Sequence, residues 1–558
     1  MSLSPHLVPL FASLAVAFCG SLSAQDWASE ERPLDLSEEL PSGADPGGAA
    51  FKGKILRLTK TSGGLRDGRL VVVYADANHD EIVWAPRSLD HLPRDVFART
   101  SDDEGKTWSD PVNLSNSAGS FSASTDWDGD GVDETYWGDC SKANVFSVGD
   151  SVVVSWVSKY APEPGWTFGT SGASSLQGTI SYPDLDVYPN TRVVPYAAVW
   201  CAISNDGGTT WAYGDVATQN PPLQLSYGNR DAIQDVHRGT SGRWVMTWQE
   251  DPEGLQPGDA EGPGLGASGA KGSKGTDVWY TYTADIVNDP LAILANRTPL
   301  TNHSTYDATQ VHFPLVGQAG TVENHASTRA NLFLMKDGAI FRALVAYEET
   351  KGIQDVLEGK TVNYHSFPFD QPVQNGPDTA RSGAPGTTLT DLLENSRRVR
   401  FVAQPPSGVD PAICIFWKQG LEAQGAPSDI LLKTSLTLDE AAVDAAPILN
   451  VSANTPAATP LDLANPTMLD PFEDARAHRA YMRGSFVMVG FTYTPNQALA
   501  RYTNLENYDF WVRRSFDGGA TWAAPRNLSN LPKDLACREP RVVGPAKTGT
   551  QDDGAILV

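Results

Sequence analysis

The chain is poor in cations. It has 42 Lys and Arg against 67 Asp and Glu in 558 residues, a formal net charge of −25. Phosphate backbones need a basic surface, so this balance excludes a nucleic-acid partner as the main ligand. Cysteine is scarce as well, with five in all. The four that follow residue 24 (Cys140, Cys201, Cys414 and Cys537) match no zinc spacing, and they read either as pairs in an oxidising compartment or as buried free thiols. None of the nine histidines falls in an H-E-x-x-H or other metal pattern. Beyond residue 24 no apolar run reaches the length of a membrane span, and no stretch has the periodicity of an amphipathic helix.

Charge of either sign is missing from residues 1–24 apart from His6. Their apolar core, LVPLFASLAVAFCG, ends in the small residues SLSA, which reads as a secretory signal peptide. Residues 25–53 are polar and rich in Gly and Pro and read as an extended lead-in. The acidity of the whole fits an exported chain in a secreted, periplasmic or cell-surface setting, expected to be a monomer.

What the chain has in quantity is short β-type runs. Six strongly apolar ones are RLVVVYAD (69–76), SVVVSWVS (151–158), RWVMTWQED (243–251), AIFRALVAYEE (339–349), AICIFWKQ (412–419) and SFVMVGFTY (485–493). Each is followed by a partner: DVFARTS, AVWCAIS, DVWYTYT, TVNYHSF, DILLKTS and DFWVRRS. The class is therefore all-β. A seventh unit starts in REPRVVGPAKTGTQDDGAILV (538–558), which echoes residues 54–72.

Three partners run into the same octapeptide, S-x-D-x-G-x-T-W: Ser101 to Trp108, Ser204 to Trp211 and Ser515 to Trp522. The chemistry suits a turn. Asp accepts backbone N–H bonds, Gly allows positive φ, and Trp folds back as an apolar plug. These copies resemble the Asp-box of the sialidase superfamily, and the chain is similar to exported sialidase-like surface proteins of Gram-negative bacteria. The resemblance covers residues 54–558. It implies a β-propeller of six four-stranded blades with a partial seventh repeat, the apolar runs as second strands, the partners as third strands, and the octapeptides between third and fourth strands. On that assignment the long connections (76–95, 159–197, 252–276, 370–396, 441–474, 494–508) enlarge one face, as binding loops do on a rigid scaffold. The N-L-S triplets at Asn113 and Asn527 read as fourth strands rather than as glycosylation signals.

Each innermost strand is expected to open with a cation: Lys54 and Arg57, Lys142, Arg230, Arg329, Arg397 and Arg400, Arg476 and Arg479, Arg538 and Arg541. Arg forks pair carboxylates and sulfates bidentately, so Arg57, Arg329, Arg397, Arg476 and Arg538 are candidate ligand-binding residues. The resemblance implies a carboxylate-binding arginine cluster, an Asp acid/base and a Tyr nucleophile helped by a Glu, an exception to the two-carboxylate scheme. The candidates are Asp76 and Asp80, with Tyr502, Tyr508 and Glu506. The Arg-Ile-Pro element of the family is absent, and Arg538-Glu539-Pro540 is only a relative of it. The partner is then a glycan, and the protein is either an exo-glycosidase acting on acidic sugars or a non-catalytic surface or adhesion propeller.

One metal motif stands apart, DWDGDGVDE at 126–134. Alternating Asp126, Asp128 and Asp130, then Gly131 and Glu134, suit oxygen ligation of Ca²⁺. Trp137 occupies the twelfth position, so the loop is not a complete EF-hand.

Overall fold

The computed structural model describes residues 51–58, 68–77, 93–118, 120–125, 131–160, 179–183, 191–195, 197–215, 220–226, 231–251, 277–301, 327–350, 360–372, 386–390, 395–420, 428–452, 473–502, 507–532 and 534–537. Among them lie six four-stranded antiparallel meanders, the second interrupted between its second and third strands by a separate hairpin, Thr179–Pro183 with Thr191–Pro195. Sheet one is Phe51–Arg57, Leu70–Ala77, Arg94–Ser101 and Val112–Asn113. Sheet two is Cys140–Val148, Ser151–Ser158, Ala198–Ser204 and Leu223–Gln224. Sheet three is Asp231–Thr240, Arg243–Asp251, Asp277–Thr283 and Thr298–Pro299. Sheet four is Ser327–Asp337, Ile340–Thr350, Lys360–Pro368 and Thr387–Thr388. Sheet five is Asn395–Ala403, Ile413–Gly420, Ser428–Ser435 and Leu449–Asn450. Sheet six is Asp474–Arg483, Phe486–Thr494, Asp509–Ser515 and Arg526–Asn527. Three helices of at most six residues are the described exceptions to the all-β reading: Ala292–Ala295, Glu440–Ala445 and Gln497–Tyr502.

The second strands are apolar along their whole length because both of their faces are covered. In Ser151–Ser158 every residue is buried. Val152, Val154 and Trp156 pack toward sheet one, while Val153 and Val157 pack toward sheet three. The same alternation builds a core between sheets three and four, four and five, and five and six. First strands neighbour one another in the order one to six across these five junctions.

A sixfold clamp fixes the fourth strands. The residues after them read Asn113-Leu-Ser115, Gln224-Leu-Ser226, Pro299-Leu-Thr301, Thr388-Leu-Thr390, Asn450-Val-Ser452 and Asn527-Leu-Ser529. In every sheet the hydroxyl of the third residue accepts a third-strand N–H, from Val96, Val199, Val278, Val362, Ile430 or Phe510, at 2.7–3.0 Å. In four sheets that hydroxyl also donates to the Asp that opens the third strand: Asp95, Asp277, Asp429 or Asp509. Asn113 and Asn527 donate their side-chain amides to Asp95 and Asp509, at 2.9 and 2.8 Å. Each N-L-S triplet therefore starts on the last residue of a fourth strand and continues past it.

The three S-x-D-x-G-x-T-W turns share their Ser, Asp, Gly and Thr bonds, while the Trp fold-back bond is made by Trp108 and Trp522. In the first, Ser101 donates to Asp103 (2.8 Å), Gly105 N–H to Ser101 (2.9 Å), and Thr107 N–H to Asp103 (2.8 Å). Trp108 folds back to donate to the Gly105 carbonyl at 3.0 Å. Gly105, Gly208 and Gly519 take φ of 90°, 86° and 95°, where a Cβ is disfavoured.

Two expectations shift. The first strand of sheet one starts at Phe51 rather than at Lys54, so Arg57 ends it beside the turn to Leu70. The long stretches 370–396 and 441–474 are each divided by a two-residue fourth strand, Thr387–Thr388 or Leu449–Asn450. The helix Glu440–Ala445 then lies between a third and a fourth strand, as the octapeptides do, so the connections are less one-sided than the sequence implied. Strands of two residues carry no readable periodicity, which is why both were missed.

Candidate functional site

The upper end of the sheets is where first strands begin and second strands finish. There every first strand carries a bulge, with two residues opposite one on the second strand. The residue opposite is aromatic in all six: Tyr74, Trp156, Trp248, Tyr347, Trp417 and Phe491. In the last three sheets the bulge holds a non-glycine residue at positive φ, namely Arg329 (58°), Arg398 (53°) and Ala477 (50°). Polar side chains tie neighbouring bulges together. Asn331 donates to the Val399 carbonyl (2.7 Å), and the His478 imidazole donates through Nε2 to the Arg398 carbonyl (2.6 Å). Asn144 donates to the Asp235 carboxylate at 2.8 Å, and Lys54 donates to Asn144.

The densest chemistry lies between sheets five and six. Asp474, fully buried, opens the first strand of sheet six. One of its oxygens accepts the Ser428 N–H (2.9 Å) and hydroxyl (2.6 Å). The other accepts the Tyr508 hydroxyl at 2.5 Å and the Arg476 guanidinium. Arg476 also stacks over the Tyr508 ring, 5.1 Å from its centroid. A phenol donating to a carboxylate held this way has its proton acceptor already in place.

Arg397 is 1% exposed and sits opposite Lys418 on the sheet-five ladder. Lys418 is itself 8% exposed. Burial is the main cause that pushes its amine down, to about 7; Asp474 pulls it up, and Arg476, Arg398 and Arg397 push it further down. Arg476 occupies the same register position in sheet six that Arg397 holds in sheet five. Arg329 falls one place later, on the sheet-four bulge, and its N–H donates to Gln249 at 3.0 Å.

The structure therefore brings Arg476 and Tyr508 into contact and sets Arg397 close by. It places Arg57 at the opposite end of its strand, exposed, beside Gly68. Asp76 is at the upper end of sheet one, buried, paired across the ladder with Asp95 and accepting the Ala77 N–H. Tyr502 closes the helix Gln497–Tyr502. Asp80, Glu506, Arg538, Asp126, Asp128 and Asp130 lie outside the described residues, and of Glu134 only the backbone is described. That backbone pairs with Thr125, so the acidic loop joins the two strands of a hairpin, Phe121–Thr125 with Glu134–Trp137. Gly131 takes φ 92° there. Among the described residues no group of three metal-ligating side chains gathers.

Asp474 and Lys418 were missed from sequence. The signal for Lys418 was present: second strands end Trp-Gln-Glu (248–250), Tyr-Glu-Glu (347–349) and Trp-Lys-Gln (417–419), and Lys is the odd member. Cys140, Cys201 and Cys414 are buried free thiols and Cys537 is a half-buried one. Burial pushes the thiols of Cys140 and Cys414 up to about 12.

No protein-family model matches the chain, and no curated protein matches it. Solved structures overlap it loosely. One is the NanB sialidase of Streptococcus pneumoniae, at 10% identity and TM-score 0.34 over 90% of this chain and 72% of that one. Another is Trypanosoma rangeli sialidase, at 9% identity and TM-score 0.31 over 84% and 54%. A third is the alpha-L-arabinanase of Penicillium chrysogenum, at 11% identity and TM-score 0.31 over 79% and 88%.

Proposed function

We propose that the six sheets close into a sialidase-like β-propeller that is exported and acts on glycans carrying an acidic sugar. The observation behind the reading is the buried Asp474 with Tyr508 donating to it and Arg476 bridging both. In this reading the partly exposed Arg476 holds the sugar carboxylate, with the buried Arg397 adding positive charge behind it. The Tyr508 oxygen attacks the anomeric carbon as its proton passes to Asp474, and the glycosidic bond breaks with the leaving oxygen protonated by a separate acid. Asp474 then takes the role sought in Glu506. Closure is supported by two apolar buried faces at the ends of the series: Val72, Tyr74 and Phe97 on sheet one, and Met488, Phe510 and Val512 on sheet six. Residues 538–558 would join them as a partial seventh repeat. The three octapeptide turns support membership of the superfamily, and residues 126–134 are proposed as a structural Ca²⁺ loop.

A glycan array followed by a fluorogenic sialoside assay on the same sample tests this. Binding of acidic glycans and their turnover are expected in the wild type. Tyr508→Phe should lower turnover by at least 100-fold and leave binding in place, while Arg476→Ala should weaken binding. Acidic-glycan binding without turnover would discard the enzyme and keep an adhesion propeller. Binding to neutral glycans alone would remove the acidic ligand.

A further inference from the structure

The upper-end register follows a rule in two sheets and breaks it in a third. The second-strand residue opposite the start of the bulge is Gln249 in sheet three, Glu348 in sheet four and Lys418 in sheet five. Gln249 accepts the N–H of Arg329, the positive-φ residue of the next sheet, at 3.0 Å. Glu348 accepts the N–H of Arg398, the positive-φ residue of sheet five, at 2.6 Å. By the same register the next left-handed residue is Ala477, on the first strand of sheet six, which lies against the second strand of sheet five. A lysine ammonium has three donors and no acceptor. The position that supplies an acceptor in two sheets thus holds a donor in the third, buried to 8% exposure.

We propose that Lys418 is a carbamylation site: its amine takes up carbon dioxide, and the resulting carbamate restores an anionic acceptor at this position. The amine nitrogen attacks the carbon of CO₂, an N–C bond forms as one C–O π bond breaks, and the displaced N–H proton leaves to solvent. Nothing is oxidised or reduced. The surroundings favour both partners of the step. Burial and the guanidiniums of Arg476 on sheet six and of Arg398 and Arg397 on sheet five act on the amine to keep it unprotonated and nucleophilic, with Asp474 alone opposing. The same three positive charges, which disfavour an ammonium here, favour the negative charge of a carbamate once it forms. Carbon dioxide is small and uncharged, so a nearly closed site admits it where a larger acylating agent is excluded.

The test uses the full chain. Protein freed of CO₂ is given ¹³C-bicarbonate at mildly alkaline pH and followed by ¹³C NMR. A parallel sample is alkylated with an oxonium reagent to trap carbamates and is mapped by peptide mass spectrometry. The expected result is a protein-bound carbamate resonance, lost in Lys418→Arg, and a trapped adduct on the peptide carrying Lys418. A trapped adduct absent from that peptide, or a resonance that persists in Lys418→Arg, overturns the proposal. The peptide map needs only the wild type, so a misfolded variant does not blunt it. Neither readout depends on glycan binding or turnover.

Discussion

Asp95 offers a test of the sixfold clamp. The carboxylate is fully buried at the start of a third strand. It accepts the Ser115 hydroxyl (2.6 Å), the Ser117 N–H (2.7 Å), the Ala118 N–H (3.0 Å) and the Asn113 amide (2.9 Å). Asp95→Ala strands four donors in a dry site. A hydrogen bond to a charged group is worth about 1.5–3 kcal/mol, and an unsatisfied buried donor costs about 1–3 kcal/mol. The four bonds share one acceptor and do not add, and the alanine cavity can admit a water. The expected loss is about 3–5 kcal/mol, below the plain sum for four stranded donors at about 1–3 kcal/mol each. Asp429 is the internal control. It is half-buried and accepts the Ser452 hydroxyl at 2.8 Å. Asp429→Ala should cost about 1 kcal/mol. Urea unfolding followed by Trp fluorescence compares the two. If Asp95→Ala shifts the midpoint no further than Asp429→Ala, the clamp does not hold the fourth strand and the reasoning fails.

Bonds from Thr107 and from Thr521 are the largest cause that pulls Asp103 and Asp517 down to about 2. A depressed carboxyl pKa gives stability that is present above the unfolded value and lost as pH falls through the folded one, so acid should erode these turns between about pH 4 and 2. The double variant Asp103→Asn with Asp517→Asn should flatten that limb of the pH–stability curve; a curve parallel to wild type counts against the assignment. Gly214 takes φ 95°, and a Cβ there would lie 2.4 Å from the Ala202 Cβ. Gly214→Ala should therefore lower the melting temperature more than Gly131→Ala, whose Cβ meets nothing within 4 Å; equal shifts would mean that φ alone matters. For the acidic loop, added Ca²⁺ should raise the wild-type melting temperature and leave Asp128→Ala unmoved, and calorimetry without a Ca²⁺-dependent shift discards the site.

Much of the architecture was legible in the chain because it repeats. Six apolar runs with six partners are second and third strands as read, and the octapeptides sit between third and fourth strands. A strand covered on both faces must be apolar throughout, and a tight turn must have its Ser, Asp and Gly in place, so both requirements are written locally. The site was legible only in part. Arg476 and Tyr508 could be chosen as types, yet their partner Asp474 lies 34 residues from Tyr508 and gives no local sign. Glu506 lies outside the described residues, and closeness along the chain to Tyr508 is no substitute for a partner brought up by packing.

The sequence by itself determined the class, the repeat, and the turns, since each depends on contacts within a few residues or on burial of a whole run. Only the tertiary structure decided which ionisable groups meet. The first-strand bulges turn the N–H groups of Arg329 and Arg398 toward the second strand of the preceding sheet. That arrangement sets Gln249 and Glu348 on backbone N–H groups and gathers Lys418, Arg397, Arg476 and Asp474 at one junction. Such meetings join residues tens of positions apart through packing between sheets, and no periodicity along one chain encodes them.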